Sequence, residues 1–355
     1  MSSAVLPRLS HSSGPTVRVP RPTVVRVVTA VAGIVILLAL VGLWRGIDTH
    51  ALLAVRVHWL WLVLAAVVNL LSILGKGIVW KTALEAVRVA CRVGWRAVVS
   101  AMFVGFLVNT VLAARVGEVA RVAVLRRRLR LEGADVPFAT IAGTVVAEQV
   151  VLGVGLILLV GALTLTVPLP AWVGWGLLAV VAVVLIAGAA LAVGAWSSRR
   201  AATPSVRARR SRLVRVIEAL MTGQAVFARP GLAAIALSSS ILSWLAQMLS
   251  ISLTLAAFGL PHGLAPSALV FVASTLASLF PVLPASIGVF QGAVSVALVS
   301  AYGVTPIVGV AFAVALQLVE MVFGIGLGLV FLTREGLSLT STRPLLASER
   351  AQSSG

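Results

Sequence analysis

The 355-residue chain has little of what a soluble domain uses to meet water. Charged residues make up 11% of it and acids number only 10, against 60% hydrophobic residues. A globular domain carries roughly 25% charged residues, so a soluble fold is excluded. The single cysteine, Cys91, rules out an internal disulfide and a Cys-ligated metal cluster. Four histidines, His11, His50, His58 and His262, are scattered. There is no G-x-x-x-x-G-K-[ST], H-E-x-x-H or G-x-S-x-G pattern and no clustered Cys/His ligand set. The expectation is a chain that is not an enzyme and uses no metal or cofactor.

What is abundant is apolar length. Several runs of about 20 residues follow one another, each long enough to cross roughly 30 Å of hydrocarbon. They predict an all-α polytopic membrane protein. Full spans are predicted over 24–44, 57–80, 138–166, 172–195, 232–258 and 307–332. Two further apolar stretches, 97–125 and 267–301, are interrupted in the middle. The run starting near Val24 is too long for a signal-peptide core and no A-x-A site follows it, so it reads as a retained span.

The formal net charge of +18 would permit nucleic-acid binding. In a membrane chain the arginines are better read as topology signals and anchors for anionic lipid, so no nucleic-acid partner is expected. A basic tail, 1–23, carries Arg8, Arg18 and Arg21. Lys81, Arg88, Arg92 and Arg96 precede the first broken stretch, and Arg126-Arg127-Arg128-Leu129-Arg130 follows it as a second basic loop. With both flanks inside, 97–125 must enter and turn back. The Arg-rich loop 196–231 and the tail 334–355 also belong inside, while Pro168-Leu169-Pro170 and the surroundings of His262 and Gly303 lack Arg and Lys and fit outside. The stretch 267–301 is then a hairpin dipping from the outer face. The result is six full spans plus two re-entrant hairpins in the cell membrane, with both termini cytoplasmic. Within the Arg-rich loop, RVIEALMTGQAVF reads as a plain positive anchor or an interfacial helix.

The interruptions resemble each other. VLAARVGEV runs from Val111 and VLPASIGVF from Val282, and EQVVLGVGLILLV from Glu148 pairs with EMVFGIGLGLVF from Glu320. The matched elements lie about 171 residues apart. Halves 24–166 and 172–333 each read span, span, hairpin, span. Three crossings per half make the second half inverted, the plan of many transporters.

Broken backbone at membrane depth needs protein or a watery cavity around it, so the two tips are expected to form one central site. Arg115 and Glu118 are positioned to pair across one turn, and the guanidinium of Arg115 suits a phosphate. Arg121 is either part of that site or a headgroup anchor that snorkels. Asn109 and Gly117 flank the first tip. Pro281 and Pro284 break the second hairpin, Gly288 permits close backbone approach, and Ser286 and Gln291 add neutral polarity. Glu148 and Glu320 are candidate coupling or structural carboxylates inside apolar spans, with Gln149 and Gln317 as partners.

At these residues the chain resembles the lysylphosphatidylglycerol synthase transmembrane-region family, the flippase-like domain of multiple peptide resistance factor proteins. The resemblance rests on NTVLAARVGEVARVAVL, VVAEQVVLGVGL and FPVLPASIGVFQGAVSVALVSAYGV and covers roughly 24–333. It implies a role in moving or handling lipids, such as aminoacylated phosphatidylglycerol or a lipid-linked sugar. By motif position it implicates Arg115, Gly117, Glu118, Arg121, Glu148, Pro284, Gly288 and Glu320. Members commonly carry Gly-Gly at Ala285-Ser286, Arg-Glu at Phe290-Gln291 and Arg at Gln149, so three of the family's usual charges are missing. Only the polar tail 334–355 follows, so a chain without the family's soluble aminoacyl-transferase domain is expected.

The leading expectation is a lipid translocase for an anionic or phosphate-linked lipid. A small-solute or ion transporter on the same plan is the first alternative. A non-transporting scaffold, recruiting lipid- or cell-wall-modifying enzymes through the Arg-rich loop, is the second.

Overall fold

A computed structural model describes residues 57–87, 93–112, 116–167, 170–176, 219–278 and 286–335, with a few positions between 178 and 186. The predicted first span 24–44, most of 172–195, and Arg115, Pro281 and Pro284 lie outside the described residues.

The described chain is helical. Helices α1 (Trp59–Ala86), α2 (Trp95–Val111), α3 (Val116–Leu131) and α4 (Phe138–Thr166) come first. After the short 3-10 turn Ala225–Ala228 come α5 (Pro230–Ala257), α6 (Leu264–Ser278), α7 (Val289–Tyr302) and α8 (Pro306–Arg334). Four of them, α1, α4, α5 and α8, are long and apolar enough to cross a membrane. The order long, short, short, long appears twice. Helices α1 and α5 each have 28 residues, and α4 and α8 each have 29.

Backbone contacts fix the directions. Along α1 and α5, His58 N–H donates to Ala257 O at 2.9 Å, Ser250 Oγ donates to Ala65 O at 2.8 Å, and Arg229 reaches Glu85 O at 3.5 Å. The two helices therefore run antiparallel along their whole length. A Cβ on Gly75 would sit 2.3 Å from Ser243 Oγ, and one on Gly155 the same distance from Ser240 Oγ. Small residues at these crossings let backbones approach, which is how apolar helices associate in lipid.

The short helices form two back-folded pairs. Gly105 and Gly117 bring α2 and α3 into backbone contact, since a Cβ on Gly117 would lie 2.0 Å from Gly105 O. Helix α2 ends at Leu112, which is extended, and α3 runs on to Leu131. The run Arg126–Arg130 is therefore helical and not the loop expected; arginine is a good helix former. At 17 residues α2 spans only about 25 Å, short of a bilayer's roughly 30 Å. In the second pair Ser286 has φ +54°, and Gly288, φ +90°, starts α7.

The two pairs enter from opposite ends of the bundle. At one end, Glu335 after α8 accepts from Ser100 near the start of α2 at 2.6 Å and from Arg128 near the end of α3 at 3.0 Å. Arg127 donates to the Glu335 carbonyl at 2.7 Å. The start of α4 meets 219–224 at this end, where Gln224 Nε2 donates to Gly143 O at 2.7 Å. That contact docks the chain before α5 into the bundle. At the other end, Gly263 before α6 meets Ser252, and Ser295 in α7 meets Pro306. The first end holds Arg96, Arg126–Arg128, Arg130, Arg229 and Arg334; among the described residues the second holds no Lys or Arg.

Candidate functional site

Described residues flanking both breaks lie beside the middle of the long helices. There a cavity of about 240 Å³ is lined by the end of α2 (Phe106, Asn109, Thr110), Ser278 and Phe290 beside the second break, and mid-helix residues of α1, α5 and α8. Among the described residues, Lys76 and Glu320 are the charged ones in that lining.

Lys76 stands near the middle of α1 and its Nζ donates to Gln247 Oε1 of α5 at 2.8 Å. Gln247 Nε2 donates to Glu320 Oε1 of α8 at 3.2 Å. One amide thus separates ammonium from carboxylate, presenting an acceptor to the first and donors to the second. The Lys76 ammonium also sits 4.3 Å from the centre of the Trp244 ring, a cation–π contact. Asn69 Nδ2 donates to the Val319 and Glu320 carbonyls at 3.4 and 3.3 Å, tying α1 to α8 beside the carboxylate.

Polar side chains flanking the breaks are held by hydrogen bonds. Asn109 Oδ1 accepts from Gly117 N–H at 2.7 Å, so it caps the start of α3 while lining the cavity. Across from it, Gln291 Oε1 accepts from Gly288 N–H at 2.6 Å and its Nε2 donates to Gln317 Oε1. Gln291 thus links the second tip to α8.

A second ionic group lies behind Trp80. Arg121, 4% exposed, reaches Glu118 at 2.5 Å and Glu148 at 2.8 Å. Its guanidinium lies 4.8 Å from the centre of the Trp80 ring, and Trp80 Nε1 donates to Thr144 Oγ1 at 3.0 Å. Arg121 does not snorkel to the headgroups: α3 packs it inward, between two carboxylates. Glu118 pairs with Arg121 one turn after it; the expected pairing with Arg115 lies outside the described residues. Gln149 is no partner of Glu148. It is exposed while Glu148 is 2% exposed, because one residue along a helix turns the side chain by about 100°. Glu320 meets Gln247, and Gln317 meets Gln291. Ser286 shapes the second tip through its positive φ.

Residues 27–328 match the lysylphosphatidylglycerol synthase TM region family. The chain belongs to that family. It is a multi-pass membrane protein tied by kinship to lipid handling. Neither the curated proteins nor the solved structures offer a match.

Within this lysylphosphatidylglycerol synthase TM region chain, sequence reasoning passed over Lys76, Gln247 and Asn69. One signal was available. Lys76 is a lone cation in an apolar run, and Gln247 lies 171 residues away, the repeat spacing itself.

Proposed function

We propose that the protein is a lipid translocase of the cell membrane that takes the phosphate of an anionic or phosphate-linked lipid on Lys76. The observation that carries this reading is the mid-bundle cavity whose described lining holds one ammonium and one carboxylate, beside residues that flank both helix breaks. Intramembrane charges are rare and facing a cavity they mark a substrate path. Within this reading α2–α3 and α6–α7 are re-entrant hairpins, the two halves form an inverted repeat, and the Arg-rich end is cytoplasmic. The antiparallel course of α1 and α5 and the lack of Lys and Arg among the described residues of the opposite end support that orientation. About 240 Å³ falls below the roughly 300–1,000 Å³ of drug-sized ligand sites, which suits a headgroup whose acyl chains stay in lipid.

The test is lipid scrambling by purified protein in liposomes carrying fluorescent phosphatidylglycerol, read by outer-leaflet quenching. Movement that Lys76→Met abolishes in folded protein supports the reading; no movement with any anionic lipid overturns it. The small volume equally favours a phosphate-bearing solute, and solute counterflow without lipid movement would transfer the assignment to that class.

A further inference from the structure

The described lining of the cavity is electrically balanced before anything enters it. Among the described residues its lining holds one cation, Lys76, and one anion, Glu320. Among the described residues the other elements around Glu320 present amides: Gln247 from α5, Asn109 from α2 and Asn69 from α1, which donates to the Glu320 carbonyl, with Gln317 on its own helix. Among the described residues a further charged group stands beside Trp80, where Arg121 bridges Glu118 and Glu148; one cation against two carboxylates leaves it no positive charge to spare for the cavity. A phosphate monoanion arriving on Lys76 therefore brings an unbalanced negative charge to within one amide of a carboxylate. Buried charge that is not balanced is neutralised by a proton.

We propose that Glu320 takes up one proton whenever a phosphate-bearing anion binds Lys76, so that headgroup and proton cross together. This rests on the translocase reading and names its coupling. The balance closes: Lys⁺ with Glu⁻ before binding, Lys⁺ with phosphate⁻ and neutral Glu after it, the proton coming from water. Gln247 is built for the exchange. In the empty cavity its oxygen accepts from Lys76 and its nitrogen donates to Glu320. Once phosphate takes the Lys76 donor, the freed amide oxygen can turn to accept the new Glu320 O–H. Gln247 is thus a positioning residue, and Glu320 the proton site.

The experiment is calorimetric binding of dihexanoyl-phosphatidylglycerol to the full chain in detergent, in buffers of different ionisation enthalpy. The phosphate diester stays anionic, so any proton counted belongs to the protein. Expected is uptake of about one proton per lipid by wild type and none by folded Glu320→Gln, which still binds. Binding and protonation are reciprocally linked, so wild-type affinity should rise on the order of tenfold toward acid pH, with Glu320→Gln flat. Gln247→Leu should bind with a weakened pH dependence. Glycerophosphoglycerol, the deacylated headgroup, forms a second arm: uptake with both probes assigns the shared phosphate chemistry, uptake with the lipid alone assigns the lipid. Binding by wild type without proton uptake, or equal uptake by Glu320→Gln, overturns the coupling while leaving translocation standing. Tighter, proton-free binding of dihexanoyl-phosphatidylethanolamine also overturns it, because the ligand's own amine would then balance Glu320. No binding of any probe by folded wild type removes both readings together.

Discussion

Lys76 and Gln247 occupy the same place in two different helices. Each lies seventeen residues after the first residue of its 28-residue helix, 171 positions apart, and each is the other's hydrogen-bond partner at 2.8 Å. Two equivalent positions meet when their helices cross antiparallel at that level. The cavity therefore sits where α1 and α5 cross, and the two matching positions differ in carrying an ammonium and an amide.

Replacing Lys76 removes the cavity's only described cation. A hydrogen bond to a charged group contributes about 1.5–3 kcal/mol, which corresponds to roughly 10–150-fold in affinity. Lys76→Met should weaken dihexanoyl-phosphatidylglycerol binding by that factor, while Lys76→Arg keeps most of it. Titration calorimetry on folded variants decides; unchanged binding by Lys76→Met would remove Lys76 from the site.

Arg121 is the ion-pair partner of two carboxylates at once, so its loss strands both. Breaking a buried ion pair by deleting one partner costs about 3–5 kcal/mol. Arg121→Ala should lower the thermal unfolding midpoint in detergent far more than Glu118→Gln, because Glu118 is 31% exposed and water screens it. Equal effects from the two would mean that Glu148 is not held by Arg121.

The first hairpin depends on glycine where its arms touch. A Cβ on Gly117 would collide with backbone, the Gly105 oxygen at 2.0 Å, which no rotamer change relieves. Gly117→Ala should destabilise the protein by about 1–3 kcal/mol or more. Gly326, in α8, meets nothing within 4 Å and is exposed. Gly326→Ala should be neutral or slightly stabilising through helix propensity. Folded yield on size-exclusion chromatography separates the two.

Sidedness can be read with single cysteines in a Cys91→Ser background. Leu131, 77% exposed at the Arg-rich end, and Leu165, 88% exposed at the other, should react with a membrane-impermeant maleimide from opposite faces. A cysteine at Thr110, in the cavity lining, should react slowly from either face. Fast labelling of Thr110→Cys from one side, at the rate of Leu165→Cys, would turn the first hairpin into an ordinary loop.

Much of the architecture was legible before any coordinates. The span 138–166 matches α4 residue for residue, and the breaks fall inside the two stretches chosen for them. Hydropathy, proline and arginine are local properties, and the lengths of spans and the places of interruptions follow from them. The ends of α1 and α3 were drawn short, at Trp80 and Leu125, because a charge ends a hydropathy run without ending a helix. In α1, Lys81 bonds Glu85 one turn on and the helix continues to Ala86.

What the sequence alone determined is therefore the class of protein, the long helices, the interrupted ones and the distribution of positive charge. Which faces of those helices turn inward was decided only by the tertiary structure. In water an amphipathic pattern marks the buried face, but in lipid the outer face is as apolar as the core. Nothing in the local pattern of α3 says that Arg121 points to Glu148, nor in α4 that Gln149 points away. Nothing in α1 says that Lys76 reaches Gln247. Those pairings come from helices crossing at small residues, Gly75 on Ser243 and Gly117 on Gly105, and contacts between segments distant in sequence arise only once the whole bundle has packed.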